Sequence, residues 1–113
     1  MELNLLRESI DLLILKALSC GPRNAGALIE WIRRATRTTV LVDEGLLFPA
    51  LLRLTRRRFV HTRWKTVDAT RTEKVYELTP AGLRQLGAKT SSWRRHVDAI
   101  GGALAMPSSE AAW

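Results

Sequence analysis

The side chains of this sequence that could do chemistry are mainly arginines. The apolar stretch 43–59, DEGLLFPALLRLTRRRF, closes in four arginines within six residues: Arg53, Arg56, Arg57 and Arg58. A guanidinium group offers a planar fork of N–H donors that matches phosphate oxygens, so the cluster favours a surface that lies against a phosphate backbone. The alternative is a solvated helix end, because arginines near a helix C-terminus also complement the helix dipole.

Catalytic and metal-binding chemistry has little support in the sequence. Cys20, His61 and His96 do not stand at metal-ligand spacing. We find no Ser-His-acid arrangement, no paired catalytic carboxylates and no phosphate-cradling glycine loop. Gly101 and Gly102 fall inside a helical pattern, which they weaken. We therefore expect no enzyme, no cofactor and no metal site.

Length and charge narrow the class of protein further. A chain of 113 residues is expected to form one domain with a modest core, which would gain from pairing with a second subunit. Lys and Arg number 18 against 11 Asp and Glu, a net charge of +7 that suits nucleic acid first and an acidic membrane surface second.

The cellular compartment is predicted by elimination. The single cysteine, Cys20, excludes an internal disulfide framework and favours a reducing environment. The longest apolar run, Leu12–Leu15, is far too short to span a bilayer, and the charged N-terminal residues do not resemble a signal peptide. We expect a cytoplasmic protein without membrane contact.

The elements that must position the arginines are predicted from apolar periodicity and from capping residues. Asn24, Asp43 and Thr79 are suitable N-caps, and Pro80 stands at the first position of the last helix. The predicted elements are helices at 9–19, 25–35, about 44–57 and about 80–104, a brief strand at 38–42, and hairpin strands at 59–64 and 74–78 around a polar turn. The fold class is mainly α with a small β-hairpin wing: a winged helix-turn-helix plus one long C-terminal helix.

The last helix carries a stripe that predicts a second copy of the chain. Its seam residues are spaced 4, 3, 4, 3, 4, as in a coiled coil: Leu86, Thr90, Trp93, Val97, Ile100 and Leu104. Trp93 fits a dimer-core anchor or the aromatic wall of an effector pocket, whereas Trp31 and Trp64 are expected to be packing residues. The predicted division is a DNA-binding domain at 1–78, a dimerisation helix at 79–105 and a flexible tail at 106–113.

Four stretches resemble the PadR-type bacterial transcriptional regulators of the short class. They are DLLILKALSCGP at 11–22, DEGLLFPALLRLTRRRFV at 43–60, KVYELTPAGLRQL at 74–86, and Trp93 with DAIGGAL at 98–104. The resemblance implies a homodimeric DNA-binding regulator, usually a repressor. It also implies that the third helix enters the major groove, that the wing touches the backbone or the minor groove, and that the last helix forms the dimer with the first. Small effectors of some members bind at the dimer interface.

The sequence departs from the family pattern where DNA reading is expected. Leu46 replaces a small hydroxyl residue, Phe48 replaces tyrosine, and Leu52 replaces a polar residue. Gly26 stands at a tyrosine position, and Arg58 stands where glycine usually ends the helix in a positive-φ conformation. The outer face of the third helix is therefore mostly apolar, and Arg53 is its best polar candidate for base reading. The alternative is a protein-interaction module that has lost sequence-specific DNA reading.

The residues expected to act follow from these patterns and from the resemblance. Expected contacts with double-stranded DNA at a pseudo-palindromic site are Arg33, Arg34, Phe48, Pro49, Arg53, Arg56, Arg57, Arg63, Lys65 and Arg71. Expected contributors to the homodimer and to a pocket for a small apolar or aromatic effector are Ile10, Leu13, Leu86, Trp93, Val97, Ile100 and Leu104.

Overall fold

The computed structural model describes residues 2–108 of the chain. Four helices enclose one core, and an antiparallel two-stranded hairpin projects from it. In chain order the elements are α1 (Glu2–Ser19), α2 (Ala25–Ala35), α3 (Glu44–Arg56), β1 (Val60–Asp68), β2 (Arg71–Leu78) and α4 (Pro80–Leu104). The predicted fold class, a winged helix-turn-helix with one long C-terminal helix, is confirmed.

The three helices after α1 begin at the caps that the sequence predicts. The side-chain oxygen of Asn24 accepts from the backbone N–H of Ala27 at 2.8 Å, and that of Asp43 accepts from Leu46 at 3.0 Å. Thr79 caps α4, directly before a proline at its first position. Each cap satisfies an N–H that the helix itself leaves unpaired, which stabilises a helix start by about 1 kcal/mol.

The core is built from one face of each helix together with the base of the hairpin. Burying a leucine or isoleucine side chain stabilises the fold by roughly 1.5–3 kcal/mol. The fully buried large side chains are Ile14 and Leu15 of α1, Leu28 and Ile32 of α2, Leu47, Leu51 and Leu54 of α3, and Val60 of β1. Helix α3 is therefore held on the core by one face, and its opposite face is left to solvent.

The predicted strand at 38–42 does not form. Arg37 and Thr38 adopt positive φ angles of 51° and 64°, and the Thr36 hydroxyl closes the turn by accepting from the Val40 N–H at 3.2 Å. The β-branched composition predicted an extended segment, but burial of Val42 fixes a tight loop instead. Arg23 forms an isolated bridge to the hairpin, because its N–H and carbonyl both pair with Tyr76.

Two further elements are longer than predicted. Helix α1 starts at Glu2 rather than at residue 9, and the hairpin strands include 65–68 and 71–72, which belong to the predicted turn at 65–72. The ladder runs from Val60 opposite Leu78 to Asp68 opposite Arg71. Apart from Val67, the residues of these outer rungs are polar, because this part of the wing is exposed to solvent and is held together by backbone pairing.

The junction between the end of α3 and the start of α4 is closely packed. The Thr79 hydroxyl donates to the Arg58 carbonyl at 2.7 Å and accepts from the Gly82 N–H at 2.9 Å. The Thr79 N–H donates to the Phe59 carbonyl at 3.0 Å. A β-carbon on Gly82 would lie 2.0 Å from the Phe59 oxygen, so only glycine allows this approach. These contacts fix the direction in which α4 leaves the core.

Beyond its first turns, α4 leaves the core. Its buried residues are Gly82 and Leu86, and every residue from 91 to 104 is exposed. The molecule extends 71 Å along its longest axis against 27 and 22 Å across. The division into domains at 78/79 stays a prediction, and the predicted tail lies largely outside the described residues.

Candidate nucleic-acid interface

Helix α3 presents an exposed apolar face next to an arginine cluster. Opposite its buried residues, Leu46, Phe48 and Leu52 are 37%, 44% and 49% exposed, and Pro49 is exposed as well. Leu46 and Pro49 line a shallow crevice with Ile10 of α1, so they occupy the edge of the face that borders α1. Phe48 and Leu52, one helical turn apart, lie away from that edge.

Arg53 lies on the α1 side of α3 and not on the open face. Its guanidinium donates to the Asp11 carboxylate at 2.8 Å, with side-chain exposures of 33% for Arg53 and 13% for Asp11. Its Nε is buried and has no hydrogen-bond partner among the described residues. The side chain expected to read bases is thus held within the chain, because pairing neutralises an otherwise uncompensated buried carboxylate.

The cluster at the end of α3 is free of acidic partners. Within the described residues, Arg56, Arg57 and Arg58 form no ion pair, and all are exposed. The Arg57 guanidinium lies over the Phe59 ring, 5.1 Å from its centroid. Arg58 has a φ of 64°, the left-handed conformation that its place after the helix predicted. Three positive charges are therefore available to an anion.

The basic end of α2 is partly neutralised by Glu30. The Arg33 guanidinium lies 2.5 Å from the Glu30 carboxylate, and that of Arg34 lies 3.6 Å from it. The hydrogen bond from Arg33, with the charges of both arginines, lowers the pKa of Glu30 below its usual value. The same hydrogen bond and charge raise the pKa of Arg33. Phosphate contact by either arginine therefore competes with an existing partner.

Two arginines of the wing also form ion pairs with carboxylates. Arg63 forms an ion pair with Glu77, and Arg71 lies 3.9 Å from Asp68, whereas Lys65 forms none within the described chain. The backbone N–H and hydroxyl of Thr70 donate to the Asp68 carboxylate and lower its pKa.

The prediction that Trp64 packs in the fold is wrong, because its side chain is 69% exposed on β1. Trp31 is half-buried against the core as expected.

The residues expected at the dimer fall into two groups. Ile10 and Leu86 are 2% and 8% exposed and already belong to the core of the single chain, and Leu13 packs half-buried against it. The remaining members are open to solvent, with exposures of 37% for Trp93, 47% for Val97, 49% for Ile100 and 81% for Leu104. The protruding part of α4 thus carries an uncovered apolar stripe.

Trp93 also borders a crevice between α1 and α4. Its volume is about 250 Å³, and its lining is mixed: Glu8, Leu12, Lys89, Ser92, Trp93 and His96. Pockets that enclose drug-sized ligands usually measure about 300–1,000 Å³. The crevice of a single chain is therefore smaller than pockets of that kind.

Two further classes of site are not present in the described part of the chain. Among the described side chains, at 6–108, His, Cys, Asp and Glu do not gather in any group of three that could hold a metal ion. None of the helices described there is long and apolar enough to cross a membrane.

Sequence reasoning missed two acidic residues that shape this surface. Asp11 was a charged residue within an apolar helical run, which signals a buried partner but does not identify it. Glu30 stood three and four residues before Arg33 and Arg34, a spacing that favours helical ion pairs. The first partnership joins residues 42 apart in the chain and required the tertiary structure.

Comparison with known proteins supports the same fold. The family model described as the transcriptional regulator PadR-like family matches residues 14–88. A transcriptional regulator from Clostridium thermocellum has 22% identity and a TM-score of 0.79 over 88% of this chain and 96% of its own. A PadR family transcriptional regulator from Eggerthella lenta has 24% identity and a TM-score of 0.78 over 95% of this chain and 91% of its own.

A more distant likeness is to Bacillus subtilis PadR, whose structure is a complex with operator DNA. It has 20% identity and a TM-score of 0.61 over 69% of this chain and 44% of that one. None of the curated proteins matches the sequence. At these identities the solved structures establish the shared fold, and the family match covers most of the chain. The chain belongs to the PadR-like family of transcriptional regulators.

Proposed function

We propose that this regulator binds a pseudo-palindromic operator in double-stranded DNA as a homodimer and represses the adjacent gene. The observation that carries the proposal is the placement of α3. Its buried face fixes it on the core, its outer face is open, and Arg56, Arg57 and Arg58 beside that face have no acidic partner among the described residues. A solvent-facing helix with free cations at one end suits a major groove bordered by phosphates.

The proposed phosphate contacts fall into two groups, according to whether the side chain already pairs with a carboxylate. Arg56, Arg57 and Lys65 are exposed and free of carboxylate partners in the described chain. Arg33, Arg34, Arg63 and Arg71 must leave or share a carboxylate before they contact DNA. We leave Arg53 out of the contact set because Asp11 holds it. Since counterion release drives such binding, affinity is expected to fall steeply with salt.

The homodimer is proposed from the uncovered stripe on α4. Trp93, Val97, Ile100 and Leu104 follow one helix face at spacings of four and three, beyond the last buried residue, Leu86. A stripe of this kind is stabilised when a second helix covers it. Two copies joined through α4 would present two α3 helices, which suits half-sites one helical turn apart on the DNA.

The proposal includes a small apolar or aromatic effector that binds between the two subunits. The crevice beside Trp93 offers an aromatic wall, and the α4 helix of a second copy would complete it. Such a ligand would act by changing the angle between the two subunits, and therefore the spacing of the two α3 helices.

The test is a fluorescence-anisotropy titration of the full chain with the DNA upstream of its own gene, at several salt concentrations. The expected result is tight, salt-dependent binding that survives excess random DNA. Arg56→Glu with Arg57→Glu should weaken it by at least about tenfold, through lost phosphate contacts. Arg95→Glu, a charge reversal on exposed α4, is the control. Binding that random DNA removes completely would refute sequence-specific regulation.

The second candidate function is a protein-interaction module, favoured by the exposure of Leu46, Phe48 and Leu52. Under this alternative, Leu46→Ser with Leu52→Ser disrupts a complex with a partner protein, and DNA plays no part. The two functions are separated by the same titration, because the alternative predicts no preference for the upstream DNA over random DNA.

A further inference from the structure

The outer face of α3 has few groups that can hydrogen-bond to a base. Phe48, Pro49 and Leu52 have no polar side-chain atom, and Arg53 is turned towards Asp11. Arg56 is the exposed cation nearest to the middle of the face, at the end of the helix where phosphates also compete for it. Sequence reading by hydrogen bonds to base edges would therefore rest on very few side chains.

The charge around the face indicates which partner it meets. Three arginines that form no ion pair within the described part of the chain lie close to these apolar residues, at positions 56–58. A stable protein interface usually buries about 1,200–2,000 Å² in total and has few charged residues at its centre, whereas this apolar face consists of a few side chains beside a run of arginines. A small apolar face bordered by free guanidinium groups is complementary to a base-lined groove between phosphates.

An apolar side chain can recognise only one feature of the major groove. Of the base-pair edges exposed there, thymine alone carries a methyl group, whereas the other edges present hydrogen-bond donors and acceptors. We propose that Phe48 and Leu52 read thymine 5-methyl groups, so that the operator is chosen by apolar contact more than by hydrogen bonding. The inference rests on the proposed DNA-binding function and assigns the chemistry by which the site recognises its target.

The spacing of the two residues predicts where the thymines lie. Phe48 and Leu52 are four residues apart, which is about 6 Å along a helix axis. Successive base pairs rise by roughly 3.4 Å, so the two side chains span about two base-pair steps. Each half-site should therefore contain thymines within two or three consecutive base pairs, on either strand.

The experiment replaces thymine by deoxyuridine, which removes the methyl group and keeps the base-pairing edge. The operator is first selected from random duplex DNA with the full chain, and each thymine of both half-sites is then replaced in turn. Losing one methyl contact should weaken binding about three- to fivefold, and about tenfold or more when both half-sites are changed. Deoxyuridine outside the half-sites is the DNA control.

Variants assign the effect to the two side chains. In Phe48→Ala with Leu52→Ala, the ratio of affinities for thymine and deoxyuridine DNA should fall to about one. Both residues are about half exposed, so the variant should keep its circular dichroism spectrum and oligomeric state. Arg56→Ala is the matched control: it should weaken binding to both DNAs and keep their ratio.

The outcomes test the thymine-methyl inference separately from the proposed DNA-binding function. Specific binding with a thymine preference that the double alanine variant loses supports the inference. Specific binding that deoxyuridine leaves unchanged at every position overturns the inference and leaves the regulator intact. If selection yields no preferred sequence, the proposed function and the inference are both overturned, and α3 is assigned to a protein partner.

Discussion

The guanidinium of Arg53 in α3 and the carboxylate of Asp11 in α1 form an ion pair at 2.8 Å. The pair joins the helix with the exposed apolar face to the helix that packs against α4. Its members are 33% and 13% exposed, so it is partly screened from water. Leaving either charge unpaired in such a site is costly. The pair therefore helps to hold α3 in its position relative to α1.

Removing one member of this pair should destabilise the fold more than removing both. Asp11→Ala leaves the Arg53 charge without its partner, and we expect the free energy of unfolding in urea to fall by about 1–3 kcal/mol. Asp11→Leu with Arg53→Met should recover much of that loss, because no unpaired charge remains. A double variant that is less stable than Asp11→Ala would contradict this account.

The same pair separates Arg53 from Arg56 in DNA binding. Arg53→Met should leave the salt dependence of DNA affinity unchanged, since this side chain is assigned no phosphate. Arg56→Met should reduce the slope of log affinity against log salt by about one per subunit. Equal slopes for the two variants would place Arg53 back at the DNA surface.

Gly82 should be the least replaceable glycine of α4. Its missing side chain leaves room for the Phe59 carbonyl, which would lie 2.0 Å from an added β-carbon. Gly82→Ala should therefore lower the free energy of unfolding by about 3 kcal/mol, at the upper end for overpacking. Gly87→Ala is the control, since nothing lies within 4 Å of that position, and it should stabilise the helix by about 0.5–1 kcal/mol. Chemical denaturation of both variants tests the contrast.

Arg58 should lower the stability of the fold, while it adds a positive charge to the arginine cluster. Its φ of 64° costs an L-residue about 1–2 kcal/mol, which glycine avoids. Glycine also makes the unfolded chain more flexible, which offsets part of this gain. Arg58→Gly should therefore raise the free energy of unfolding by about 0.5–1 kcal/mol. DNA affinity should fall at the same time, through one lost cation. Arg57→Gly is the contrast, because its φ of −85° gives no strain to relieve.

The stripe on α4 should hold the dimer. Val97→Glu with Ile100→Glu would bury charges in the proposed interface, and we expect dimer dissociation to become easier by about 100-fold or more. Sedimentation velocity at several protein concentrations measures this change. Arg95→Glu, placed off the stripe, should leave the association unchanged. A double glutamate variant that stays fully dimeric would exclude this face as the interface.

Glu30 should restrain the affinity for DNA of any sequence. Glu30→Gln frees Arg33 and Arg34, so binding should strengthen at low salt and its salt slope should increase by about one per phosphate gained. Asp98→Asn, which removes a charge from exposed α4, is the control.

The pH dependence of this restraint follows from the lowered pKa of Glu30. A carboxylate whose folded pKa is depressed contributes its ion pairs above its unfolded pKa and loses them as the pH falls through the folded value. That value lies below the ordinary 4.5, so Glu30 should give no change in DNA affinity between about pH 6 and 8. A titration in that range that Glu30→Gln abolishes would contradict the ion-pair assignment.

The sequence by itself determined the fold class, the starts of α2, α3 and α4, and the buried face of α3. These features depend on signals within a few residues: the caps Asn24, Asp43 and Thr79, and the three- and four-residue spacing of apolar side chains. It also predicted the arginine cluster and the stripe on α4, because both are periodic or local in the chain.

Only the tertiary structure decided which of these residues remain available. Pairing with Asp11 removes Arg53 from the open face, and Arg23 bridges to Tyr76 of the hairpin, whereas 38–42, predicted as a strand, forms a loop. These contacts join residues that are far apart in the sequence. No local pattern in the sequence therefore predicts them. The chain thus specifies its helices locally, whereas packing decides which side chains the outer face of α3 exposes.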